Sequence, residues 1–191
     1  MTAFITRCCR KYSLLCALAF LWSALPLAAH AEGIEAKKAE FTITDGGYVL
    51  DAEFSVGLTH TLDEALNKGV ALYFVVDFEL VRPRWYWFNE KIIDYQQVYR
   101  LSYNALTRQY RVTVSNLYQN FAALQEALDF MSRLRRSVEV EPDALRKDAT
   151  YNAAIRMRLD TAQLPKPFQV SAVGSREWNL SSDWHRWTIG Q

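Results

Sequence analysis

The chain has 191 residues and nearly balanced charge, with 22 Lys and Arg against 21 Asp and Glu for a formal net of +1. That balance argues against a nucleic-acid partner, which calls for a strongly basic domain or stripe. With 50% hydrophobic residues the chain is also long enough to bury a core without staples, since a domain of this size hides roughly 70% of its unfolded surface.

The first 31 residues read as an export signal outside the fold. Arg7, Arg10 and Lys11 form a basic start, residues 14–28 are apolar, and Ala29-His30-Ala31 offers small residues at the two positions a signal peptidase reads. The apolar run is shorter than the roughly 20 residues a spanning helix needs, and Pro26 interrupts its end. Cleavage after Ala31 and a periplasmic destination are therefore expected. This segment takes three basic residues and no acidic ones, leaving 19 positive against 21 negative charges, a net of −2. Cys8, Cys9 and Cys16 leave with it, so the exported domain is expected to carry no disulfide.

Residues 32–39 are short, charged and Ala-rich, and read as a flexible lead-in to a single β-rich domain over 40–191. Phe41-Thr-Ile-Thr alternates, Asp45-Gly46-Gly47 tolerates positive φ, and Tyr48, Leu50, Ala52, Phe54 and Val56 alternate again, which predicts a β-hairpin. Thr61-Leu-Asp-Glu64 has the spacing of a capping box for a helix ended by Gly69, with Leu58, Leu62 and Leu66 inward. Residues 70–80 form the central strand. Val70, Leu72, Phe74, Val76, Phe78 and Leu80 make one wholly buried face, and Ala71, Tyr73, Val75, Asp77 and Glu79 run from covered to wet on the other.

Pro83 ends that strand. Tyr95, Gln97, Tyr99, Leu101 and Tyr103 then alternate, and a turn at 104–107 returns the chain through Tyr110, Val112 and Val114 as a second hairpin. From Asn120 the period becomes helical through Phe121, Leu124, Leu128, Met131 and Leu134, with Asn120 as cap and Arg133, Arg135 and Arg136 at the C-terminal end. Val138 and Val140 read as a short strand before Pro142, and Tyr151, Ala153, Ile155, Met157 and Leu159 as a half-buried one. Leu164-Pro-Lys-Pro167 reads as a stiff connector to a tryptophan-rich tail. These elements predict a mainly β domain with two helices: an antiparallel two-layer β-sandwich-like body, one helix covering a sheet.

Several stretches together resemble one family of exported proteobacterial proteins, domain of unknown function 4390. They are residues 64–69 (Glu-Ala-Leu-Asn-Lys-Gly), the aromatic run 82–87, residues 99–112, Leu159-Asp160 with 164–167, and 178–184 (Trp-Asn-Leu-Ser-Ser-Asp-Trp). The resemblance spans essentially the whole exported chain and implies no catalytic residues. It implies an envelope setting, members of the family being often encoded near a membrane sensor kinase.

Outside the signal there are two histidines, His60 and His185, and no cysteine; neither histidine has a second histidine at i+3 or i+4, so no metal and no cofactor are expected. Ser181, Asp183 and His185 share a face if extended, yet nothing supplies a reaching base or an oxyanion donor pair, and no enzyme is expected. Asp51, Glu53, Asp77 and Glu79 face Arg100, Arg111, Arg156 and Arg158, which predicts cross-strand ion pairs rather than a calcium site. The run Arg82, Arg84, Trp85, Tyr86, Trp87 and Phe88 has the composition of interface hot spots and of side chains that settle at membrane surfaces. The alternative is that these rings fold back over the end of the body. The leading expectation is a non-catalytic periplasmic domain that contacts another envelope component through this loop, such as a membrane sensor. A carrier or sensor of an apolar ligand is the other, the ligand held between sheet and helix by Tyr95, Tyr99, Tyr103, Trp178, Trp184 and Trp187.

Overall fold

A computed structural model describes residues 33–44, 47–84, 86, 89–138, 145–146 and 149–190. The chain divides into two units, residues 1–31 and 32–191, and every described residue belongs to the second.

Strand β1 (Gly33–Thr44) pairs antiparallel with β2 (Gly47–Gly57) as the expected hairpin, and Gly47 enters β2 at φ 123°, where a side chain would be strained. The strand begins earlier than expected. Residues 33–39, read as a lead-in, are its first half, with Ile34 and Ala39 buried. A bulge between Ala36 and Lys38 re-phases the alternation, so that Ile34 and Phe41 both reach the core across an odd spacing.

Helix α1 (His60–Asn67) buries Leu62, Ala65 and Leu66, and Gly69 (φ 89°) turns the chain out of it. Its cap is Thr59 rather than Thr61: the Thr59 hydroxyl accepts from Leu62 N at 3.3 Å and donates to the Glu177 carbonyl at 2.8 Å. Thr61 instead donates to the Glu177 carboxylate, and Glu64 pairs with Lys68 at 2.8 Å.

Strand β3 (Leu72–Arg82) is the predicted central strand, lying between β4 (Glu90–Asn104) and β8 (Thr150–Leu159). Leu72, Phe74, Val76 and Phe78 are fully buried. Its second face differs from expectation, because Asp77 is 5% exposed rather than wet. Strand β4 returns through β5 (Gln109–Val114) as the second predicted hairpin. Strand β6 (Leu117–Phe121) then adds an edge where the helix start was expected; Asn120 lies in it and accepts from Arg111 at 2.9 Å.

Helix α2 (Leu124–Ser132) starts three residues later than predicted, capped at Ala123 instead of Asn120, with Glu126 reaching back to Ala123 N at 3.4 Å, and buries Ala127, Leu128 and Met131. The arginines expected at its end belong to strand β7 (Arg133–Val138). Arg133 lies opposite Glu53 and Arg135 opposite Asp51 on β2, so charge complementarity and the buried Leu134 and Val138 hold this segment extended.

A third helix, α3 (Lys166–Ala172), replaces part of the expected stiff connector, since prolines at 165 and 167 suit the first turn of a helix. The tail runs beside β8, first through Leu180 and Ser182 opposite Leu159 and Met157, then as β9 (His185–Gly190).

The strands form two antiparallel sheets, β1-β2-β7 and β6-β5-β4-β3-β8-β9, with three α-helices among the described residues. Their buried faces share one apolar cluster. Phe41 of the smaller sheet stacks at 5.4 Å on Phe78 of the larger, which meets Trp187 at 6.1 Å.

Candidate functional site

The three strands of the smaller sheet do not match the six of the larger. Over β4, β5 and β6 the covering elements are α2 and β7, and between them and the sheet lies a cleft of about 530 Å³. Its size is ordinary for a small-ligand site, roughly 300–1,000 Å³. Hollows of about 290 Å³ beside β1 and β9 and about 230 Å³ beside Trp178 are smaller.

Alternation on β4 and β5 turns Tyr99 and Val112 inward, 4% and 1% exposed, and Val114 continues the floor. From β7 comes buried Leu134. The sides are large apolar groups left in contact with solvent: Leu117 and Tyr118 on the edge strand at 78% and 65% exposure, and Phe130 of α2 at 39%. Phe130 lies 5.4 Å from the Phe121 ring, and the Arg111 guanidinium stacks 4.7 Å over Tyr118.

Arg133, Arg135, Arg136 and Gln119 complete the wall, and no carboxylate is among the described residues that line it. Asp51 reaches Arg135 at 3.9 Å; among the described residues no carboxylate pairs with Arg133 or Arg136. Arg136 follows Leu134 on the face of β7 turned toward β4, within hydrogen-bonding reach of Tyr95. Burial pushes the Tyr99 phenol up to about 12, the neighbouring Tyr95 adding to this and Arg136 opposing it. Burial raises Tyr95 as well, and its hydroxyl donates to Gln97 at 2.9 Å. Near neutral pH the cleft thus holds the neutral Tyr99 phenol, aliphatic side chains and fixed positive charge, a combination suited to holding an apolar group with an anionic end.

The tyrosines and tryptophans expected to share one ligand site do not converge. Only Tyr99 of the six lines the cleft. Tyr95 is half-buried further along β4, and Tyr103 packs on Tyr110 at 4.8 Å. Trp178 meets Phe168 at 5.6 Å in a short turn, Trp187 sits on β9, and Trp184 stacks 4.4 Å from Arg156 on the face away from the core. Two strands, β3 and β8, separate the tyrosines of β4 from Trp187 on β9, which is why these side chains cannot meet. Sequence reasoning missed Val112, Val114, Leu117, Tyr118, Phe130, Arg133 and Arg136 as a site. The available signal was three arginines within four residues, followed by no assigned acid partner.

Of the loop residues, Arg82 and Arg84 both donate to the Glu90 carboxylate, Arg84 at 2.6 Å, and these bonds hold the Glu90 carboxyl below the usual range. Tyr86 is 67% exposed, while Trp85, Trp87 and Phe88 lie outside the described residues.

The predicted ion pairs form in part. Asp77 Oδ2 accepts from Arg156 and Arg158, each at 2.9 Å, and Oδ1 accepts from Gln96 at 2.9 Å. Lys91 pairs with Glu79 at 3.0 Å, whereas Arg100 packs 5.9 Å over Tyr73. His60 is a surface residue 3.7 Å from Glu64. The Ser181 hydroxyl donates to the Ser182 carbonyl, and His185 packs 5.7 Å from Trp187. Among the described residues no group of three or more His, Cys, Asp or Glu is placed to hold a metal, and no helix is long and apolar enough to cross a membrane.

No curated protein and no solved structure matches the chain. The family described as domain of unknown function (DUF4390) matches residues 31–188, and the chain belongs to it.

Proposed function

We propose that this chain is an exported, non-catalytic binding domain of the cell envelope, and that it holds a small apolar ligand in the cleft between β4–β6 and α2–β7. The observation that carries the reading is the contact of apolar Leu117, Tyr118 and Phe130 with solvent around one concave surface. The two sheets act as the layers of a sandwich, and the unequal strand numbers leave the cleft at its open end. Native mass spectrometry of the gently purified protein checks this: the expected spectrum contains a small-molecule adduct that Val114→Trp, which fills the floor, abolishes. Bare polypeptide in both spectra would contradict it.

A second reading concerns the segment after β3. Its base is braced by the Arg82–Glu90–Arg84 pairing, and the arginine and aromatic residues from 82 to 88 would contact a membrane sensor or the membrane surface. Crosslinking in vivo from position 85 should capture one envelope protein, and the Trp85/Trp87 double substitution should abolish capture without unfolding the domain. Export itself is tested by N-terminal sequencing, with Glu32 as the expected first residue.

A further inference from the structure

At the cleft one inward-facing guanidinium, that of Arg136, has no carboxylate paired with it among the described residues. It stands on the inner face of β7 beside an apolar floor, while Arg133 and Arg135 turn to the other face, opposite Glu53 and Asp51. Positive charge gathered next to exposed apolar surface costs stability through mutual repulsion. An occupant that brings one negative charge and one long apolar body would satisfy both features together.

We propose, resting on the reading of the cleft as a binding site, that its ligand is a single-chain amphiphile with a carboxylate head, of the fatty-acid class. The head lies on Arg136, and the alkyl chain lies along Val112, Val114, Phe130 and Leu134. Arginine suits a carboxylate because its planar fork donates two parallel hydrogen bonds. The Tyr99 hydroxyl near Arg136 adds a neutral donor and no competing negative charge. The volume of about 530 Å³ has room for one extended alkyl chain rather than a two-chain lipid. An acidic peptide adding as a strand to the edge of β7 that pairs with no strand among the described residues is the competing occupant. The amphiphile is favoured because the floor is made of side chains, with Val112 only 1% exposed, rather than of main-chain edge.

The test is calorimetric titration of the exported protein with hexadecanoate, hexadecanol and hexadecyltrimethylammonium, each below its micellar concentration. Hexadecanoate is expected to bind one to one and about tenfold or more tighter than hexadecanol, as a charge-assisted pair implies, with the cationic amphiphile weakest. Arg136→Ser should bring hexadecanoate down to the affinity of hexadecanol and leave hexadecanol unchanged. If that variant does not fold, the three head groups on the unaltered protein still decide. Equal binding of hexadecanoate and hexadecanol overturns the anionic head while leaving the apolar cleft standing. Absence of binding by all three overturns both. Displacement of hexadecanoate by a lower concentration of an acidic, valine-rich peptide overturns the amphiphile in favour of strand addition.

Discussion

On the outer face of the larger sheet, Arg156 and Arg158 converge on Asp77, and Trp184 covers the first of them. Across the domain, Arg133, Arg135 and Arg136 stand around an apolar cleft with a single acid 3.9 Å from one of them. In the first region every charge has a short, oriented partner, so removing the carboxylate strands two cations beside a covered surface. In the second Arg136 faces solvent and apolar side chains, and the fold loses little without it. Cations matched inside the fold hold the structure together, whereas cations left over beside apolar surface point to something that comes from outside.

The largest expected effect breaks the matched region. Asp77→Ala should lower unfolding free energy by about 2–4 kcal/mol in a urea titration, the lower part of the range for broken buried pairs because both arginines are about one-third exposed. A loss under about 1 kcal/mol would mean that the three hydrogen bonds to Asp77 do not anchor the sheet.

Tyr99 sharpens the second region. Its folded-state value of about 12 exceeds the ordinary 10.0, so the folded chain keeps a proton that the unfolded chain has released. The corresponding stability is fully present below pH 10 and disappears as pH climbs toward about 12, roughly 2–3 kcal/mol in all. Urea midpoints taken across that window should fall less steeply in Tyr99→Phe. Identical slopes would show that the phenol at the cleft floor is not shielded from water.

Arg156→Lys is expected to cost about 1 kcal/mol, because lysine keeps the charge but loses the oriented Nε–H bond to Asp77 and the stacking on Trp184. The smallest change should come from Arg136→Ser, within about 0.5 kcal/mol of the parent protein and of either sign. A loss of about 2 kcal/mol there would erase the distinction between the two regions.

Strict alternation made β3, β4, β5 and β8 legible, since one-sided burial of Leu72, Phe74, Val76 and Phe78 is a period-two signal that little else produces. The first strand was hidden by its bulge. Ile34 and Phe41 are seven residues apart, an odd spacing that breaks the period unless one residue is left out of register. Leu128, Met131 and Leu134 fit a helix by spacing, but the chain turns extended at Arg133, where pairing with β2 outweighs the local pattern. The short edge strand β6 has Leu117 and Tyr118 exposed and so carries no burial signature. The cleft was illegible for the same reasons: its walls are β6, α2 and β7, the three elements whose boundaries depend on tertiary pairing. Asp77 was readable as an ion-pair partner yet not as a buried one, because the tail that passes over that face lies about a hundred residues away in sequence.

The most direct test of the cleft as a binding surface is a nitrogen-15 chemical-shift titration of the exported protein with hexadecanoate. The account predicts that the amides of Val112, Val114, Leu117, Phe130 and Arg136 move together and saturate, while those of Arg82, Glu90 and Asp77 stay in place. Shifts gathered on the 82–90 segment with the cleft unmoved, or no saturable shift anywhere, would contradict it.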